Sequence, residues 1–167
     1  MVDVKAPIAI IRCAEGGTTL GGDRNPDEPT GFKLYLLALN WVRSSLAVLE
    51  ERKLPYRIEG FMWHQGENDM SFYPYRSKAA QWLQSTVAKS REDLSMPALK
   101  WFVSQQPPTD EKGLHRMDVT ANIAALAAAD PAFIHIKAFH LPPQPEQLVI
   151  TAAGIVQLGE LLAESYR

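Results

Sequence analysis

The chain has 167 residues and a mass of 18.6 kDa, enough for one domain with a substantial core and too few to expect two. Hydrophobic residues make up 46% of it and charged ones 22%; the formal net charge of −2, the pI near 6.1 and the lack of any Lys/Arg stripe exclude a nucleic-acid or anionic-membrane footprint. A lone cysteine, Cys13, excludes an internal disulfide and a cysteine-built zinc site, and its apolar surroundings suit a structural thiol.

In chain order, "MVDVKAPIAIIRC" lacks a charged-apolar-small signal pattern, and no stretch approaches the roughly 20 apolar residues of a bilayer span, so the chain reads as soluble. "PIAIIRC" (7–13) is the first apolar run of strand length. A helix is expected over 32–52, with Leu34, Leu37 and Trp41 on one face and Leu39, Val42, Leu46 and Leu49 widening it. "RIEGFMW" (57–63) predicts a second strand. Residues 75–93 predict a second helix, with Ala79, Trp82, Leu83 and Val87 opposite Lys78, Gln81, Lys89 and Glu92. Strands at "LKWFVSQ" (99–105) and "FIHIK" (133–137) and helices at 117–129 and 152–166 complete the series. Continuous apolar runs suit strands buried on both faces, and their alternation with helices predicts an α/β domain with a mostly parallel sheet. Pro and Gly punctuate the loops at 21–31, 105–113 and 141–147.

Ligands of parallel sheets bind beyond the carboxyl ends of the strands, which directs attention to residues 14–22, 63–70, 104–110 and 138–147. In "AEGGTTLGG" (14–22), consecutive glycines form either an anion-binding nest or a plain tight turn; neither phosphate-loop pattern is present. "WHQGEND" (63–69) has three readings. His64, Glu67 and Asp69 could ligate a metal, though no H-E-x-x-H spacing supports one. Asn68, Asp69 or Ser71 could cap the helix that follows. Catalytically, the Gln65 amide would donate to a developing oxyanion while Glu67 orients its neighbours. Trp63 is the aromatic best placed as a site wall, with His64 and Gly16 as further substrate contacts. His115 is expected in solvent and His135 in the core; His140, after the fourth strand, can reach the cleft.

"GGT" after the first strand and "WHQGEND" after the second resemble the carbohydrate esterases of the sialate O-acetylesterase and acetylxylan esterase group, in the SGNH-hydrolase superfamily. "LPPQPEQLVITAAGIVQLGELLAESY" (141–166) is similar to that family's closing block. The resemblance spans about residue 7 to the end and covers 1–167 as a single domain. It implies a three-layer α/β/α, flavodoxin-like fold and metal-free, cofactor-free hydrolysis of O-acetyl esters on sugars. By it, Gly17 (or Gly16) and Gln65 are oxyanion donors, Glu67 supports the site, Glu146 takes the acid position and Val149 the histidine position. The family's G-Q-S block, borne on its first central strand, has no counterpart here: the domain is expected to be N-terminally incomplete. Ser44 and Ser45 fall within a helix, and Ser104 ends a strand without a glycine elbow.

Valine cannot transfer a proton, and His140 lies about nine residues upstream of Val149, across "PPQP". Two readings follow: an acetylesterase-family domain inactive or nearly so as this isolated chain, or a non-catalytic module that binds glycan or a partner. Acetylated carbohydrate is the expected ligand; nucleic acid and membrane are not. The missing strand would leave open sheet edges, inviting a second copy or another chain to complete the sheet.

Overall fold

The computed structural model describes residues 7–22, 24, 34–65, 68–69, 73–105, 119–138, 140–142 and 150–166. Among them are helix α1 (Leu34–Glu51), strand β1 (Phe61–His64), a single turn α2 (Tyr73–Arg76), helix α3 (Ala79–Asp93), strand β2 (Trp101–Ser104), helix α4 (Val119–Ala129), strand β3 (Phe133–Ile136) and helix α5 (Ala152–Tyr166). The strands form one parallel sheet in the order β1-β2-β3. Phe61 stands beside Trp101 and His64 beside Ser104; Trp101 pairs with Phe133 and Ser104 with Ile136. All three strands therefore end level, and their following residues share one rim.

Two-residue alternation sorts the side chains onto two faces. On one face Trp101, Val103 and Phe133 pack with Leu83 and Val87 of α3, Ile123 of α4 and Leu20 from the loop after residue 15. Phe61 and Trp63 extend this face, their rings 4.9 and 5.5 Å from that of Trp101. On the other, Phe102 and Ile136 meet Ala138, Leu141, Ile150 and Leu158 of α5. Helices thus cover both faces, and the expected three-layer α/β/α architecture is what the chain adopts. Among the described residues, no helix is long and apolar enough to cross a membrane.

The residues 7–13 depart from expectation. They form no ladder, and Ile8 and Ile10 are 70% and 84% exposed. The apolar run has strand composition, but a strand needs a neighbour to satisfy its peptide groups, and among the described residues none pairs with this one. The sheet therefore has three described strands rather than four, and β1 is its edge.

Helix α1 differs too. It turns Leu39 and Val42 inward and leaves Leu36, Leu37, Trp41 and Val48 exposed, so the expected Leu34–Leu37–Trp41 face is not the buried one. Its ties to α3 are polar: Tyr35 donates to Asp93 Oδ2 at 2.6 Å, and Arg43 donates to the Asp93 carbonyl at 2.7 Å. The helix expected over 75–93 begins at Ala79 with no side-chain cap on Lys78, after the separate turn α2. Helices α1 and α3 end alike. Leu54 N–H reaches Leu49 O and Lys53 N–H reaches Glu50 O around a left-handed Lys53 (φ 54°); Met96, Ser95, Arg91 and Glu92 repeat the pattern around Ser95 (φ 56°).

Candidate functional site

The rim where the strands end gathers His64 and Gln65 from β1, Ser104 and Gln105 from β2, and the loop 15–24. Gly17 turns that loop in the left-handed region (φ 75°), and a Cβ there would meet no atom within 4 Å, so glycine is required for the turn while open space lies above it. Gly21 serves the opposite need: a Cβ would stand 2.3 Å from the Trp82 ring. The loop passes close over α3 there.

Asp69 fastens the loop to β1. Its carboxylate, 1% exposed, accepts the Leu20 N–H at 2.8 Å and the Gly21 N–H at 3.2 Å. It also accepts the Gln65 amide N–H at 2.5 Å. A carboxylate is an acceptor only, so it fixes which end of the Gln65 amide faces it. The second Gln65 N–H reaches Thr18 O at a long 3.5 Å, and Asn68 donates to the same carbonyl at 3.2 Å. Gln65 is therefore oriented by one short bond and holds its other donor lightly. Asn68 and Asp69 serve the loop, not the N-terminus of α3.

Arg24 closes the loop from outside. It donates to Thr18 Oγ1 at 2.9 and 3.1 Å and to Glu15 O at 3.0 Å, with its guanidinium 5.5 Å from the centre of the Trp63 ring. Burial raises the pKa of the nearby Cys13 thiol, and the Arg24 charge only partly opposes this, so the thiol stays protonated at neutral pH.

His64 Nδ1 lies 2.9 Å from Ser104 Oγ, across the β1–β2 register. Ser104 has no exposed surface, and its hydroxyl also lies 3.4 Å from Trp63 O. The serine of the pair is internal, and the histidine is half-buried. Gln105, the next residue, buries an amide oxygen with no partner among the described residues. His140 sits exposed in the turn after β3, and no hydrogen bond joins it to the Gln65–Asp69 group among the described residues. His135 is half-buried within β3; burial, aided by the Lys137 charge, lowers its pKa and favours the neutral ring.

The structure thus brings together Gly16, Gly17, Trp63, His64 and Gln65, and adds Asp69, Thr18, Arg24 and Ser104 to the group. Glu67, Glu146, Val149 and His115 lie outside the described residues. Among the described residues, no three His, Cys, Asp or Glu side chains stand together as a metal group would require. Chemically, the site offers an oriented amide donor beside a glycine turn, walled by an aromatic ring and a guanidinium. Asp69 was visible in the sequence as a ligand or a cap. Its four-residue spacing from Gln65 was the available signal for pairing, but its backbone partners lie 48 and 49 positions away.

The sequence model of the family described as "Carbohydrate esterase, sialic acid-specific acetylesterase" matches residues 1–167. No curated protein sequence matches the chain. Among solved structures, a protein from Arabidopsis thaliana superposes with a TM-score of 0.71 at 23% identity, over 92% of this chain. The chain spans 58% of the length of that protein, a likeness of fold.

Proposed function

Because this chain belongs to the sialic acid-specific acetylesterase family of carbohydrate esterases, we propose that its strand-end cleft receives an O-acetylated sugar, while the 167-residue polypeptide alone turns the ester over slowly or not at all. The observation that carries the second half is the burial of Ser104. Its hydroxyl holds the relation to His64 that a nucleophile has to its base, but with 0% exposure no ester carbonyl can approach it. The G-Q-S nucleophile block is absent from the sequence, and valine occupies position 149 where the resemblance calls for the base.

The cleft keeps what binding needs. Trp63 offers an apolar wall for a sugar face, and Arg24 beside it suits a sugar that carries a carboxylate. Gln65, oriented by Asp69, can pass its lightly held N–H from Thr18 O to the acetyl oxygen. Glu67 is assigned the supporting role and Gly17 the second donor. Oxyanion stabilisation and binding without a nucleophile–base pair retain about 10³–10⁴-fold over water, well below a complete triad. The retained wall and donor, set against the buried serine, also favour a second reading, a glycan-binding module with no catalytic task.

Hydrolysis of p-nitrophenyl acetate and of O-acetylated sialic acid by the purified chain tests the proposal. Serine-hydrolase rates, lost in His64→Ala, would overturn inactivity. NMR titration with acetylated and deacetylated sialosides tests binding: shifts at the Trp63 indole and Gln65 amide are expected with the acetylated sugar, and their absence removes both readings.

A further inference from the structure

Among the described residues, strand β1 is paired on one side only. Phe61 N–H donates to Lys100 O at 2.9 Å, so by two-residue alternation the N–H and C=O of Met62 point away from β2. Neither has a partner among the described residues, and the Met62 side chain is 62% exposed. A groove of about 130 Å³ borders this edge. Phe61, Met62 and Trp63 of β1, Ile11 and Cys13, and Leu39 of α1 are among the residues that line it. Uncovered apolar surface continues beyond it on Leu36, Leu37 and Trp41.

The same chain carries the complement of this edge. Residues 7–13 are apolar and rich in β-branched side chains, and they join no ladder. They join the body of the protein at Gly16–Gly17, where the left-handed turn has open space around it, while the loop beyond is fastened through Leu20 and Gly21 to Asp69. The segment can therefore swing about this turn by giving up the bonds that Arg24 and Thr18 donate to Glu15 O, while the Asp69 bonds stay in place. We infer that two copies of the chain associate by reciprocal strand exchange, with residues 7–13 of each laid along Phe61–His64 of the other. A second copy is the occupant that uses both features at once: each molecule gives an unpaired strand and receives one on an unpaired edge. The arrangement closes on itself about a two-fold axis, so it stops at two chains and does not grow into a fibre.

Light scattering coupled to size exclusion, over a wide concentration range, reads the outcome directly. The full chain is expected to pass from one-chain to two-chain mass. Ile10→Pro removes a ladder N–H at a side chain with no core contact, so the variant keeps its circular dichroism and its dimer weakens by at least about tenfold; Ile10→Val retains the dimer. In wild type, the Met62 amide should exchange at least about tenfold more slowly in the dimer than in the monomer. A synthetic peptide of residues 7–13 should split the dimer while protecting Met62. One-chain mass at every concentration overturns the inference, even if that peptide or another strand binds the edge. So does a dimer indifferent to Ile10→Pro.

Discussion

Among the described residues, Asp69 holds more of the site than any other side chain, since one buried carboxylate receives two backbone N–H groups and the amide of Gln65. Asp69→Asn replaces one acceptor oxygen with an NH₂ that must face one of those donors. A buried donor left unmade, with loss of a charge-assisted bond, costs about 2–4 kcal/mol, to be read as a lower urea midpoint at unchanged slope. Part of this was legible in the sequence. Gln65 and Gly17 are found at one rim, as their places after two apolar runs suggested. The task of Asp69 was not legible, because its polar spacing fits a ligand, a cap and a latch equally, and only the fold brings the loop 16–22 over it. The partnership of His64 and Ser104 was hidden for a related reason: it depends on the register of β1 with β2, and apolar runs longer than the strands they contain leave that register open.

Among elements, α1 combines a small buried apolar surface with polar ties. Its two buried side chains, Leu39 and Val42, are supplemented by the hydrogen bonds that Tyr35 and Arg43 send to Asp93 at the end of α3. The Lys89 ammonium, 2.7 Å away, and then the Tyr35 hydroxyl hold the Asp93 pKa below its ordinary value. A carboxyl with a lowered folded pKa contributes stability above its unfolded pKa of about 3.9 and loses it as pH falls through the folded value. Acid unfolding monitored at α1 should therefore show a limb below about pH 4 that Asp93→Asn removes, leaving a less stable but flatter profile. Four helical segments and three strand centres were readable from apolar periodicity, within a few residues of their ends. The strand expected at 7–13 failed because a β-ladder belongs to two strands at once, and composition reports only one of them. The buried face of α1 was misread because leucines stand all around that helix, so periodicity alone does not single out Leu39 and Val42.

On the scale of the whole molecule, the sheet is covered on both faces at β2 and β3, but Met62 leaves the face of β1 beyond the reach of α5 bare. The domain is therefore well packed toward its C-terminal half and open toward its N-terminal half. That asymmetry follows from the side of β1 that has no neighbour among the described residues. The Asp69 latch has a consequence for the order in which the chain assembles. Closing a span of 49 residues costs about 3–4 kcal/mol of chain entropy, and the only large apolar side chain that the loop buries in return is Leu20. The carboxylate itself is in place only after β1 has docked on β2. Residues 16–22 should thus join last, onto a finished sheet, and contribute nothing to the folding barrier. In stopped-flow experiments, Asp69→Asn should speed unfolding by about thirtyfold or more and leave the refolding rate nearly unchanged. A latch closed last is also the first to open, so the cleft beneath Gly17 would be uncovered by local fluctuation long before the core unfolds.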